Sequence, residues 1–244
     1  MILIASKADE AGMNIAQHLE KKGINVIFTE VHPVHLNYFE RIIEIPEGET
    51  AVFLSRHSSA RGVKSLTIHS AGNFSTNDLG GEKNFLTYTD PFLMHSILLN
   101  LHKLNDTDYN VTYEATHHGP ASNQRLIFVE IGSTEKEYVD EHAGELVAEA
   151  IMNSSPLKDK SYCGIGGPHY SEKFTRLAIE RGIKFGHIAS KYRFNELTDD
   201  ILKQMYEKTE KCDGFLIDQK SFNSNQKREL EEKLGKLNLK YDFV

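Results

Sequence analysis

Short apolar runs alternate along the chain with longer stretches whose apolar positions keep helical spacing. Met1–Ala5 reads as a strand. Ser6 and Asp9 resemble a capping box for a helix carrying Ala11, Ile15 and Leu19 on one face, and Gly23 stops that helix before a second strand, Ile24–Thr29. Phe39, Ile42, Ile43 and Ile45 are strand-like and turn at Pro46-Glu47-Gly48 into another strand, Ala51–Leu54, which ends on Ser55-Arg56-His57. Leu66–His69 follows, and the polar stretch Ser70–Thr89 behind it is too long for an ordinary connection, which marks it as a functional loop. Asp90 and Pro91 suit the N-cap and first position of a helix with the stripe Ile97, Leu98, Leu101 and Leu104; His95 and His102 on it are read as structural. Val111–Thr116 is a strand, and Leu126–Ile131 is apolar enough to be buried on both faces. Ser133 or Thr134 caps an acidic helix, Glu135–Met152, with Val139, Ala143, Leu146, Val147 and Ala150 turned inwards. The remainder reads as strand Ser161–Ile165, helix Ser171–Arg181, strand Ile183–Ala189, helix Glu196–Lys211, strand Gly214–Ile217 and helix Asn225–Leu237. This alternation predicts a single three-layer α/β domain over residues 1–244, its mostly parallel central sheet covered by helices.

Histidines stand at the ends of successive strands: His57, His69, His117, His118, His169 and His187. The pair His117-His118 is the focus, because neighbours on an extended chain point to opposite faces and Gly119-Pro120 supplies a turn that redirects both rings. If the strands are parallel their ends converge on one rim, where imidazoles can ligate zinc, act as bases or donate to an oxyanion. His117 and His118 are the best metal or base candidates, with His57 and His69 completing a set of four metal ligands. Glu130, at the end of the most buried strand, orients a histidine or acts as base, or else caps the following helix. The run Gly164, Gly166 and Gly167, two residues before His169, is a tight turn or, the reading His169 favours, lets backbone amides approach a substrate as oxyanion donors. No GxSxG elbow, HExxH helix, GxGxxG or GxxxxGK motif is present, so serine-hydrolase, zincin and nucleotide-loop chemistry lack their signatures.

Composition narrows the class. Two cysteines, Cys163 and Cys212, stand far apart in sequence and fit neither a disulfide framework nor a zinc finger, which points to a reducing cytoplasm. The first residues lack a basic leader and no apolar run is long enough to span a membrane, so a soluble protein with no membrane partner is expected. The net charge of −7 argues against a general nucleic-acid binder, but it is uneven: residues 1–150 carry 11 Lys+Arg against 21 Asp+Glu, and 151–244 carry 17 against 14. The positive excess lies between Lys158 and Arg193. It reads equally as a solvated face or a phosphate-facing patch, with Lys173 and Arg176 as its test positions.

Six segments taken in order carry a resemblance: Ser55-Arg56-His57, His69-Ser-Ala-Gly-Asn73, Thr116-His-His-Gly-Pro120, Glu130-Ile-Gly-Ser-Thr134, Gly164-Ile-Gly-Gly-Pro-His-Tyr170 and Gly186-His187. Together they resemble the D-aminoacyl-tRNA deacylases of the archaeal and plant type over about residues 1–240, with Pro168 where the family often has a third small residue. The resemblance implies a fold related to phosphorylases and peptidyl-tRNA hydrolases, hydrolysis of the ester joining a D-amino acid to tRNA, and zinc as cofactor. His117, His118 and Glu130 are then the catalytic candidates. Gly164, Gly166, Gly167, His169 and Arg56 are the substrate-binding ones, and His57, His69, His117 and His118 the metal ligands. The expected partner is the acceptor end of D-aminoacyl-tRNA, met by a cytoplasmic monomer. A nucleoside-phosphorylase-like enzyme, a metal-dependent peptidase and a non-catalytic tRNA-binding module are the alternatives.

Overall fold

The computed structural model describes residues 1–244. Its first sheet is built from β1 (Ile2–Ser6), β2 (Val26–Thr29), β3 (Ala51–Ser58), β4 (Ser65–His69), β7 (Asn110–Tyr113) and β8 (Leu126–Ser133), in the order β2-β1-β3-β8-β4-β7. A short hairpin, β5 (Gly72–Asn73) with β6 (Phe85–Leu86), falls between β4 and β7. A second sheet, β9 (Ser161–Ile165), β10 (Phe185–Ala189), β11 (Cys212–Ile217) and β12 (Tyr241–Phe243), is ordered β10-β9-β11-β12 and wholly parallel. The mostly parallel α/β architecture is as expected, but its strands divide between two sheets. Within the first, β4 runs antiparallel to β8, so β4 and β7 point the opposite way to β3. The strand ends therefore do not share one rim.

Helices α1 (Glu10–Lys21), α2 (Pro91–Leu104) and α4 (Glu141–Met152) pack on one face of the first sheet, against Leu3, Val52, Leu54, Ile127, Val129 and Ile131. Side chains alternate along β8, so its other face carries Leu126 and Phe128, which join Phe53 under Leu36, Phe39 and Ile43. This explains the misread segment at 39–45. Phe39 and Ile43 cap the sheet from a short 3-10 turn, Phe39–Arg41, and the irregular chain after it instead of forming a strand, while Ile42 is exposed. Helix α5 (Glu172–Arg181) adds Phe174 and Leu177 to the larger core, and α6 (Asp199–Glu207) and α7 (Ser224–Lys236) cover the second sheet through Ile201, Met205 and Leu230.

Caps explain most differences in boundaries. Asp9, not Ser6, caps α1 by accepting from Gly12 N at 2.9 Å, while Ser6 Oγ accepts from Ala8 N. Asp90 and Pro91 open α2 as expected. The expected helix 135–152 is two: α3 (Glu135–Tyr138) under a Thr134 capping box, then α4 under Asp140, and at the break Val139 is exposed. Thr198 opens α6, later than Glu196, which sits in a 3-10 turn. Cys163 and Cys212 lie on neighbouring strands as free thiols with sulfurs 3.7 Å apart. No helix is long and apolar enough to cross a membrane.

The two sheets meet just beyond β7, where Ala115 N donates to His169 O, Thr116 N to Ile188 O and Ser171 N to Tyr113 O. This seam, lying over the polar part of β8, is where the histidines gather.

Candidate active site

Register explains the gathering. Phe128, Glu130 and Gly132 share one face of β8; His57 pairs opposite Gly132 from β3, and His69 pairs opposite Phe128 from β4. Because β3 and β4 run oppositely, His57 and His69 stand at the two ends of this short stretch with Glu130 between them. Its Oε2 lies 3.7 Å from His57 Nδ1 and 3.5 Å from His69 Nε2. Glycine at 132 leaves room for the His57 ring, since a Cβ there would stand 2.9 Å from His57 Cβ. His69 stacks on Phe128 with ring centroids 5.2 Å apart.

The segment leaving β7 delivers the rest. Glu114 is buried, and its Oε2 accepts from His169 Nε2 at 2.7 Å and lies 3.1 Å from His57 Nδ1 and 3.6 Å from His117 Nε2. His118 takes a left-handed φ of +46°, which turns the pair so that His117 and His118 come to lie on the same side, ring centroids 4.3 Å apart. Gly119 contributes by close approach, for a Cβ on it would stand 2.3 Å from Gly81 N and Val34 O. The long loop is thus docked backbone to backbone against the pair, which is why it is buried in part and contains its own hairpin.

Three imidazoles share a further property. His69, His117 and His118 each turn Nδ1 to a backbone carbonyl, of Ser70 at 3.2 Å, Ala115 at 2.9 Å and Gly119 at 2.6 Å. An Nδ1–H donated to a carbonyl fixes the ring and leaves Nε2 as the nitrogen facing inwards, the arrangement that orients metal-binding histidines. One nitrogen from each of the three lies within 4.8 Å of the others, a set that suits a divalent ion. His57, Glu114, His117 and His169 form a second such set, and His69, Glu114 and Glu130 a third. His57 and His69 share none of these sets, so the four expected ligands do not close on one ion. His57 Nε2, His69 Nε2 and Glu114 Oε1 are buried without hydrogen-bond partners.

The charges arrange themselves around the two carboxylates. Burial opposes ionisation of Glu114 and Glu130, but bonds from His169 and His57 hold Glu114 well below the usual carboxylate range, and His57 and His69 bring Glu130 down to about 2. Burial likewise opposes a charge on His57, yet Glu114 and Glu130 outweigh it and raise the imidazole to about 11. His69 is burdened by burial but raised by Glu130. Burial and positive neighbours push His117 well down and His118 to about 4. Two ionised carboxylates thus hold a proton on His57, while the adjacent pair stays neutral.

Of the other expected residues, Arg56 is exposed at the rim. It joins His32, His35, Val34, Leu79 and the cluster in lining a cavity of about 570 Å3. A larger cavity, about 1010 Å3, adjoins through Arg56 and Ser58 and holds none of the clustered histidines. The glycine run is not free to bind an oxyanion: Gly166 N donates to Ala189 O, Gly167 N to Ser221 Oγ at 2.7 Å, and Gly164 is paired inside β9 on both sides. His169, which follows it, is oriented by Glu114. His187 is a buried tie, between Thr87 O at 2.8 Å and Thr116 Oγ1 at 3.2 Å. The basic patch is largely spent on ion pairs, including Lys158–Glu210, Lys173–Asp218 and Lys184–Asp159.

Sequence reasoning missed Glu114, the residue that links most of the site. Its signal was present, an ionisable side chain inside the buried run Val111–Thr116, three residues before His117. It also missed His32, whose Nε2 lies 3.0 Å from the buried Asp9 on the cavity wall.

Comparison with known proteins gives one consistent result. The family model for D-aminoacyl-tRNA deacylase matches residues 45–242. A relative from Picrophilus torridus named D-aminoacyl-tRNA deacylase is 35% identical over 90% of this chain and 90% of its own length. One of the same name from Pyrococcus furiosus is 33% identical over 98% of each chain. A solved crystal structure of a conserved protein of unknown function superposes with a TM-score of 0.92 at 29% identity, over 99% of this chain and 94% of the other.

Proposed function

This chain belongs to the D-aminoacyl-tRNA deacylase family and hydrolyses the ester joining a D-amino acid to tRNA, and from that premise we propose that the buried histidine–glutamate cluster carries the reaction in two parts. In the first part His69, His117 and His118 would hold zinc. The observation that supports this most is their shared Nδ1-to-carbonyl orientation, with nitrogens of all three within 4.8 Å. A zinc ion held by these three histidines would supply Lewis acidity and lower the pKa of a bound water.

The second part is the acid–base apparatus around Glu114. His57 lies between two carboxylates and keeps its proton, so it acts as a donor to the oxygen that gains charge when water adds to the ester carbonyl. His169 is tied to Glu114 by Nε2 and its side chain is 43% exposed, which makes it the cluster's most accessible imidazole. It takes the proton of the attacking water and returns it to the departing ribose oxygen as the acyl C–O bond breaks, leaving a free D-amino acid and a ribose hydroxyl. Glu114 orients both rings, in the manner of a carboxylate behind a catalytic histidine. Glu130 holds His57 and His69 from the other side, and Arg56 meets the substrate at the rim.

We read the two sheets as one deacylase domain, because the seam between them makes the site. The substrate class supports a cytoplasmic enzyme. Matched D- and L-tyrosyl-tRNA test the substrate and its handedness together. Strong preference for the D-ester is expected, and equal rates on the two would overturn the assignment.

A further inference from the structure

Two cavities meet at the cluster. The first is the space of about 570 Å3 described above. The second, about 440 Å3, is walled by Arg61, Pro168, Tyr170 and Tyr192. His57, Ser58 and His169 are the residues that line both. A substrate made of two unlike parts joined by one reacting bond fits such a site when the bond lies at the shared wall and one part enters each cavity. The shared wall carries the two imidazoles that Glu114 orients.

The linings differ in a way that assigns the parts. Tyr192 is 69% exposed although it is a large aromatic side chain, and Lys191 Nζ lies 5.3 Å from its ring centroid. Tyr170 is half-buried behind it, its ring 5.5 Å from that of His57 and 5.9 Å from that of His169. Arg61 is exposed and, like Lys191, enters no ion pair, whereas Lys173 and Arg193 do. An exposed aromatic ring with two unpaired cations suits a nucleobase and its phosphate, the stacking and charge that single-stranded nucleic acid offers. The first cavity has Val34 and the overhanging Leu79 on its wall, with imidazoles as its only rings. It suits an amino-acid side chain.

We propose that the groove between Arg61 and Tyr192 binds the single-stranded 3′ end of the tRNA, with a terminal base stacked on Tyr192 and the D-amino acid in the adjoining histidine-lined cavity. The proposal rests on the deacylase reading above, but its test does not depend on turnover alone. Tyr192→Ala and Tyr192→Phe are compared with the wild type in two assays: binding of a fluorescently labelled, uncharged CCA-ended oligonucleotide, and steady-state deacylation of D-tyrosyl-tRNA and D-alanyl-tRNA. Loss of one stacked base should weaken oligonucleotide binding roughly fivefold or more, and Phe should restore it. KM should rise by a similar factor for both esters with kcat nearly constant, because the missing contact is to the RNA common to both. Unchanged oligonucleotide binding in Tyr192→Ala would overturn the proposal, as would a loss confined to the D-tyrosyl ester, which would put the amino-acid side chain on Tyr192. A wild type that binds the oligonucleotide through Tyr192 but hydrolyses neither ester would leave this subsite standing and sink the deacylase reading instead.

Discussion

Replacing Glu114 by Gln keeps the shape of the buried side chain and removes its charge, which isolates what the carboxylate does. In the native site one oxygen serves His169 at 2.7 Å and His57 at 3.1 Å. A hydrogen bond to a charged group contributes about 1.5–3 kcal/mol and a neutral one about 0.5–1.5, so weakening both bonds costs about 2–3 kcal/mol. For a chain of this size that corresponds to a melting temperature lower by about 5–10 °C. The kinetic effect should be larger. With His169 no longer held by a carboxylate and His57 left with Glu130 alone, kcat for D-tyrosyl-tRNA should fall about 10²–10³-fold, within the range that acid–base groups contribute, while KM changes little. Bound zinc should stay at the wild-type level, since the two imidazoles closest to Glu114, His169 and His57, do not hold the metal and His117 stands farther off at 3.6 Å. Deacylation is followed on the folded fraction well below the lowered melting temperature, with zinc measured on the same sample. A kcat within about threefold of wild type would refute the orienting role, and loss of zinc would make Glu114 a ligand and undo the division of the cluster.

Two further outcomes follow from the charges. Because Lys173 is tied to Asp218 while Arg61 is unpaired at the groove, Lys173→Ala should leave the salt dependence of tRNA binding unchanged; Arg61→Ala should reduce its log–log slope by about 0.7, the single-strand value for one phosphate contact, and the reverse pattern would reinstate the basic patch. Burial lowers His187 to about 4, with Thr87 opposing and Lys208 adding to the shift. The folded state therefore favours the neutral ring, so its contribution, on the order of 3 kcal/mol, is complete above pH 6.5 and is lost as pH falls from 6.5 towards 4. Melting curves of His187→Asn across that window should fall less steeply than those of the wild type, and parallel curves would assign the acid loss to other groups.

The sequence was most legible where burial and local chemistry agree. Leu126–Ile131 could be recognised as a central strand because both its faces are covered, and Asp90-Pro91 marked a helix start because the cap depends only on neighbouring residues. Phe39 and Ile43 misled because a short apolar turn laid over a sheet leaves the same trace as a strand. The histidines were visible as a recurring feature at strand ends, but the reason given for their convergence did not hold. The reversal of β4 is a matter of pairing, which no local pattern encodes, and it is what puts Glu130 between His57 and His69. Glu114 escaped notice because a lone carboxylate near a strand end ordinarily faces water. Only the second sheet, closing over it through Tyr170 and His169, makes it a buried hub. The glycine run was seen but misassigned, since amide partners such as Ser221 come from far along the chain.

The central claim is that one cluster contains a metal-holding part and an acid–base part, and zinc content measured beside D-tyrosyl-tRNA deacylation separates them most directly. In purified His118→Ala, zinc and turnover should be lost together, and chelation of the wild type should reproduce that loss. In His57→Ala, zinc should remain at the wild-type ratio while turnover falls. Wild-type zinc and turnover in His118→Ala, or full activity in a chelated wild type, would contradict the account.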